Sequence, residues 1–174
     1  MGLAALALSA GCNRPPAATA SSTDDNCLPG QRAFLQARLR GAIESQLDWR
    51  GDELQCEGGA RPDGKGIRVS VAGPLEDSRR LRFVFGIAAA PMHSGSGPWP
   101  TNVTMLLEGE NRIYATLGDD KCSVDALVQQ PLPDDKQAYR VALRGYCVDA
   151  ATAVGGDEKL YLERFDVAAI ARFE

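Results

Sequence analysis

The sequence predicts an α+β fold in which one N-terminal helix packs on a twisted antiparallel β-meander of about six to eight strands, with two disulfides. A four-residue repeat of apolar side chains predicts the helix, and alternation with a period of two predicts the strands. Four of the five cysteines fall in the region that carries these patterns. Their number allows two cross-links within one domain.

The predicted helix covers residues 31–47. Apolar side chains repeat there every four residues, with charged side chains between them. The members of this stripe are Leu35, Leu39, Ile43 and Leu47. Pro29 suits the entry of a helix, and Gly51 suits its exit. Gly41 would cost about 1 kcal/mol relative to alanine in the middle of such a helix.

Downstream of the helix, four stretches alternate between apolar and polar residues, as strands with one buried face do. These stretches are Ile67–Val71, Leu81–Ile87, Val103–Leu107 and Ile113–Leu117. Turn-forming residues separate them, at 62–64 and at 109–111. The C-terminal stretch 159–174 also alternates, but its phase slips by one near Glu163-Arg164. That slip predicts a β-bulge.

Two hairpin registers follow from the composition of the strand faces. A turn centred between Asp134 and Asp135 sets Cys122 opposite Cys147, on a face that is apolar throughout. The further pairs on this face are Val124–Gly145, Ala126–Leu143 and Val128–Val141. The pairs on the other face are Asp125–Arg144 and Gln129–Arg140, which carry complementary polar groups. A turn around Glu110 likewise sets Val103, Met105 and Leu107 against Leu117, Ala115 and Ile113.

The hairpin register selects one of the three ways in which four cysteines can pair. Cys122 and Cys147 face each other, so their Cβ atoms come within bonding reach. Cys27 and Cys56 remain as the second pair. Each bond would contribute roughly 2–4 kcal/mol by restricting the unfolded chain. The alternative, a zinc site, lacks cysteines at metal-ligand spacing in a chain with one histidine, so no metal is expected.

The N-terminus resembles the leader of bacterial lipoproteins. Leu8-Ser9-Ala10-Gly11-Cys12 closes a short apolar run and is similar to a lipobox, although Ser9 stands where leucine is usual. The resemblance implies a signal peptide at 1–11 and acylation of Cys12, which would anchor the chain to a membrane. The alternative is an ordinary secretory leader with an incidental cysteine. Either leader implies an oxidising compartment, where disulfides persist.

Residues 12–26 predict a flexible tether, because they contain two prolines and no aliphatic side chain larger than alanine. The single folded domain is then expected at 27–174, on the periplasmic side. In the resemblance to lipoproteins, Asn13 favours the outer membrane over the inner one. The net charge of −4 argues against a nucleic-acid partner, since phosphate binding needs a basic excess.

The sequence contains no recognisable catalytic motif, and we expect no enzymatic activity and no cofactor. The one histidine, His93, stands in a segment without the Gly-x-Ser-x-Gly spacing of a hydrolase. The four downstream cysteines have partners, so none is left as a nucleophile. The paired aspartates, at 119–120 and 134–135, fall in turns, where aspartate is common for backbone reasons.

The connection at 88–101 is the predicted binding element. It is long for a loop and contains both His93 and Trp99. Trp99 lies between two prolines, which would restrict its motion and lower the entropic cost of a contact. The alternative is that Trp99 folds back over the sheet edge.

The expected function is that of a lipid-anchored periplasmic protein that binds another envelope protein, for example as an inhibitor or an immunity protein. The tether, the disulfides and the lack of a catalytic set favour this hypothesis. One alternative is a hydrolase that uses His93 with a loop serine, which would need a carboxylate and a hydroxyl around the imidazole. Another is a structural envelope lipoprotein, which a surface without a cleft or an apolar patch would favour.

Overall fold

Eleven antiparallel strands contain most of the residues that the computed structural model describes, which are 27–28 and 32–173. In chain order, the strands are β1 (Phe34–Gly41), β2 (Ser45–Arg50), β3 (Gln55–Ala60), β4 (Ile67–Pro74), β5 (Arg80–Ile87), β6 (Gly95–Glu108), β7 (Arg112–Ala115), β8 (Cys122–Leu132), β9 (Asp135–Cys147), β10 (Ala151–Ala153) and β11 (Lys159–Arg172). A short 3-10 turn at Gly51–Glu53 connects β2 to β3. The fold is therefore all-β.

The predicted α+β class is wrong, because residues 34–50 form the β1–β2 hairpin and not a helix. A repeat of four residues is also a multiple of the two-residue period of a strand, so the apolar stripe fits both structures. In the hairpin, Leu35 lies opposite Trp49, and both side chains are buried. Gly41 ends β1 with a φ of 101°, where a Cβ would overlap the carbonyl oxygen of Lys159. The glycine is needed for this turn.

The strands form one hydrogen-bonded sheet that returns on itself. Its order is β2-β1-β11-β10-β7-β6-β5-β4-β3, and the β8–β9 hairpin connects β6 to β11 by a second route. Strand β6 pairs first with β8 and then with β7. Strand β11 pairs first with β10 and then with β9. The sheet has more strands than the predicted six to eight because residues 34–50 form β1 and β2 in place of the helix, and because the short strands β3 and β10 were not predicted.

Aromatic side chains fill the space between the two facing parts of the sheet. Trp49 of β2 meets Phe83 of β5 edge-on, with ring centroids 5.8 Å apart. Phe85 of β5 meets Phe165 of β11 at 4.9 Å. The inner side chains of β4 and β5 are fully buried. Burial of each large apolar side chain contributes about 1.5–3 kcal/mol, so this contact holds the two parts together.

Both predicted disulfides are confirmed. Cys122 and Cys147 join the start of β8 to the end of β9, and Cys27 and Cys56 tie the N-terminal residues to β3. The β8–β9 register is confirmed at Cys122 and at Val124, which lies opposite Gly145. The hairpin is therefore cross-linked at its open end.

Beyond Val124, the predicted β8–β9 register is wrong by one residue. A bulge at Asp125 sets Ala126 opposite Arg144 and Leu127 opposite Leu143. The predicted pairs that this shift removes are Ala126–Leu143, Val128–Val141, Asp125–Arg144 and Gln129–Arg140. A bulge adds one residue to one strand only, so face composition alone could not place it.

The β6–β7 register is also shifted by one from the prediction. Met105 lies opposite Tyr114, whose side chain is fully buried, while Ile113 faces outward and is 36% exposed. Leu117 lies outside the strand, with a φ of 52°. The Tyr114 hydroxyl donates a hydrogen bond to Glu158, and burial raises the pKa of this tyrosine.

The predicted bulge in the C-terminal strand is confirmed. Ala37 of β1 lies opposite Phe165, but Leu39 lies opposite Leu162, so β11 carries one extra residue between these pairs. The extra residue falls at Glu163-Arg164. The two bulged strands, β8 and β11, are both neighbours of β9, and their bulges lie beside its last residues.

Candidate functional site

A groove crosses the outer face of β1, β2, β8, β9 and β11, on the side away from the core. It encloses about 770 Å³. Its lining includes two buried residues, Gly145 and Phe165, which form its floor. Its charged side chains are Arg38, Asp125, Arg144, Glu163, Arg164 and Asp166. The groove is therefore a polar surface that lies directly above the core.

The two bulges shape this groove. The bulge at Asp125 in β8 and the bulge at Glu163-Arg164 in β11 flank the same three residues of β9, which are 144–146. A bulge bends its strand and increases the local twist, so two of them on either side of one strand make the face concave. Gly145 lies between them. A Cβ there would overlap the carbonyl oxygen of Ser123 and lie 2.7 Å from the Phe165 ring.

Four of the six charged side chains in the groove are paired. Arg38 and Arg40 of β1 both contact the Glu163 carboxylate, with 3.4 Å between Arg38 Nε and Glu163 Oε2. Arg144 Nε lies 3.5 Å from Asp166 Oδ2. Arg144 thus pairs with β11 and not, as predicted, with Asp125.

Arg164 and Asp125 are the two charges of the groove that lack such a partner. Neither makes an ion pair or a side-chain hydrogen bond with any residue that the structure describes. Arg164 lies opposite Tyr146, and Tyr146 lies opposite Ser123, two residues before Asp125. The Tyr146 ring is 39% exposed. Among the described residues of the groove, Arg164 and Asp125 are thus one cation and one anion without a partner, and Tyr146 lies on the strand between theirs.

Trp99 lies in a strand and not in the predicted 88–101 loop. Strand β6 begins at Gly95, and Trp99 lies opposite Val124 of β8. Its ring packs against the core and lies 3.5 Å from the position of a Cβ on Gly95. A role of Trp99 in binding stays a prediction, but the side chain already has a packing partner within the domain.

His93 lies in the short connection between β5 and β6, where its side chain is exposed. Imidazole Nδ1 is 3.2 Å from the carbonyl oxygen of Pro91. The side chain of the next residue, Ser94, accepts a hydrogen bond from the backbone amide of Gln129 at 2.7 Å. Among the described residues, no carboxylate and no hydroxyl is bonded to the imidazole. The structure therefore does not bring a catalytic set around His93.

The buried side chain of Gln129 holds this connection. Its carbonyl oxygen accepts a hydrogen bond from the Met92 amide at 2.9 Å, and its amide nitrogen donates to the carbonyl oxygens of Ala90 and His93. These three bonds use both N–H donors and one of the two acceptor positions of the glutamine side chain. The segment that contains His93 is consequently fixed to β8.

A second polar cluster, around Arg61, is held together by ion pairs and hydrogen bonds among residues that the structure describes. The Arg61 guanidinium donates hydrogen bonds to Asp63 and to Asp119, which ties the turn after β3 to the segment before β8. Asp119 also accepts a hydrogen bond from Asn102 at 2.7 Å. The backbone amide of Lys65 and then the Arg61 guanidinium hold the pKa of Asp63 below its usual value. The Arg61 cluster therefore has a structural role, because it connects the turn after β3 to the segment before β8.

In residues 27–28 and 32–173, no group of three or more His, Cys, Asp or Glu side chains is placed to hold a metal ion. Within the same residues, no helix has the length and apolar character to span a membrane. Cys12, the signal peptide 1–11 and the tether 12–26 lie outside the described residues.

Comparison with protein-family models, with curated proteins and with solved structures gives no significant match. The groove itself is therefore the basis for a functional proposal. Its residues were not predicted as a site, because they come from five strands. The available signal was weak: outward positions of the predicted strands carry charges of both signs, such as Asp125 and Arg144.

We predict that Gln129→Leu loosens the 88–94 connection. The substitution leaves the Met92 amide and the carbonyl oxygens of Ala90 and His93 without these partners, which costs about 1–3 kcal/mol. Hydrogen exchange at the Met92 amide should accelerate, and the free energy of unfolding should fall. The neighbouring substitution Gln130→Leu, at an exposed position, is the control and should change neither quantity. Equal exchange at Met92 in both variants would contradict the assignment.

Proposed function

We propose that the chain is a lipid-anchored, non-catalytic protein on the periplasmic face of the outer membrane, and that its folded domain holds a protein partner at the groove. The observation that carries the proposal is the pair of unpartnered charges, Arg164 and Asp125, on a concave face. Arginine and tyrosine are enriched at protein contact surfaces, and Arg164 and Tyr146 both line this groove.

The leader and the two disulfides support the location. A lipobox-like segment ending at Cys12 implies acylation, and the Cys27–Cys56 and Cys122–Cys147 bonds fit an oxidising compartment. Acylation would bring the domain to the membrane through a tether of about 40 Å at about 3 Å per residue. That reach would let the groove meet a partner bound elsewhere in the envelope.

The alternatives from the sequence gain less support. A hydrolase would need a base and a nucleophile placed together, and His93 contacts the carbonyl oxygen of Pro91 instead. A purely structural lipoprotein would be favoured by a surface without a cleft, whereas this surface has one of about 770 Å³. The binding hypothesis accounts for the groove.

The anchor is tested by the substitution Cys12→Ser in the full chain. We expect the variant in the soluble periplasmic fraction and the unsubstituted protein in the membrane fraction, because the acyl chains provide the attachment. Immunoblots of the two fractions measure the distribution. A Cys12→Ala variant should behave in the same way. Membrane association that persists in both variants would refute lipidation at this residue.

The binding site is tested by affinity capture from detergent-solubilised envelopes, with the tagged full chain as bait. We expect a partner identified by mass spectrometry whose recovery falls at least about tenfold with Arg164→Glu. Lys136→Glu is the control, because it makes the same charge change at an exposed position of β9 outside the groove. The purified partner should rebind with the same order of affinities. Recovery that is equal for both variants, or no recovered partner, would contradict the proposal.

A further inference from the structure

We infer that the groove recognises an extended polypeptide segment that carries one basic and one acidic side chain two residues apart, with its ammonium at Asp125 and its carboxylate at Arg164. This inference rests on the proposed function and specifies the partner segment. It follows from three features of the groove: which charges are already paired, how far apart the free charges lie, and where the groove opens.

The charge balance selects a ligand with both signs of charge. Three arginines and three carboxylates line the groove. Arg38 already contacts Glu163, and Arg144 already contacts Asp166. Among the described residues of the groove, this leaves one guanidinium on β11 and one carboxylate on β8 without an ion pair. A ligand with one sign of charge, such as a phosphate-rich polymer, would satisfy one of them and be repelled by the other.

The separation of the free charges sets the spacing in the ligand. Arg164 and Asp125 lie two strands apart, about 10 Å across the sheet, and are offset along the strands by up to two residues. Their Cα atoms are therefore roughly 12 Å apart. Side chains i and i+2 of an extended peptide point to the same side at about 7 Å. The flexible four-carbon stem of a lysine spans the rest.

The shape of the groove favours an extended chain. Tyr146 lies between the two free charges, so its exposed ring is placed to contact the backbone between the two charged residues. The groove extends across Arg38 to Gln46 on β2. Strand β2 ends the order of the sheet. A segment longer than the groove can therefore continue over this edge.

The test is a titration of the full chain carrying Cys12→Ser with blocked tripeptides, followed by amide chemical shifts. The probe is acetyl-Lys-Gly-Glu-amide, and the comparison peptides are acetyl-Lys-Gly-Gln-amide and acetyl-Gln-Gly-Glu-amide. We expect the doubly charged peptide to bind at least about fivefold more tightly than either comparison peptide at low salt. The affected amides should lie at 123–126, 144–146 and 163–166.

Two conservative variants assign the charges. With Arg164→Gln, replacing Glu by Gln in the peptide should no longer weaken binding. With Asp125→Asn, replacing Lys by Gln should no longer weaken it. Lys136→Gln is the control and should keep the full preference. Both substituted groove positions are exposed, so unchanged amide spectra elsewhere will show that the variants fold.

Equal affinities for the three peptides, shifts confined to other surfaces, or no saturable shift would each overturn the inference. These results are separable from those of the capture experiment. A partner lost with Arg164→Glu, combined with no preference among the peptides, would leave the proposed function and remove the proposed ligand. A preference for acetyl-Lys-Gly-Glu-amide without a captured partner would keep the proposed ligand and remove the proposed function.

Discussion

The close approach of β8 and β11 around Gly145 of β9 is the constraint on which the groove depends. No side chain fits at this position, since a Cβ would overlap the Ser123 carbonyl oxygen and lie 2.7 Å from the Phe165 ring. Phe165 in turn contacts Phe85 across the core. The core therefore supports the floor of the groove directly. The two bulges lie beside this point, and the charged residues Glu163, Arg164 and Asp125 occupy the bulged positions.

Much of the sheet could be predicted from alternation, because each strand with one buried face shows it. The stretches in β4, β5 and β6, the Cys122–Cys147 disulfide and the bulge at Glu163-Arg164 were predicted in this way, and the Cys27–Cys56 disulfide then followed by elimination. The β1–β2 hairpin was not predicted from alternation. Its apolar side chains repeat every four residues, which fits a helix and a strand equally. Gly41 was the residue that distinguished the two, because a glycine weakens the interior of a helix but fits the positive φ of this turn.

The groove could not be predicted, for two physical reasons. Its residues come from strands that are far apart in the sequence, and only the topology places β11 between β1 and β9. Its shape depends on the Asp125 bulge, which a comparison of face composition cannot detect. The predicted ion pair of Asp125 with Arg144 shows the effect. One inserted residue moves Asp125 out of line with Arg144, and Arg144 pairs with Asp166 instead.

The shape of the groove depends on the bulged β8–β9 register, and a pair of cysteine substitutions tests that register. Residues that face each other across two strands have Cβ atoms within reach of a disulfide. We expect Val128→Cys combined with Ala142→Cys to oxidise to a cross-link, detected by mass spectrometry of proteolytic fragments, because these residues lie opposite each other. We expect no cross-link for Val128→Cys combined with Val141→Cys. A bond in the second variant and none in the first would contradict the bulge and the groove built on it.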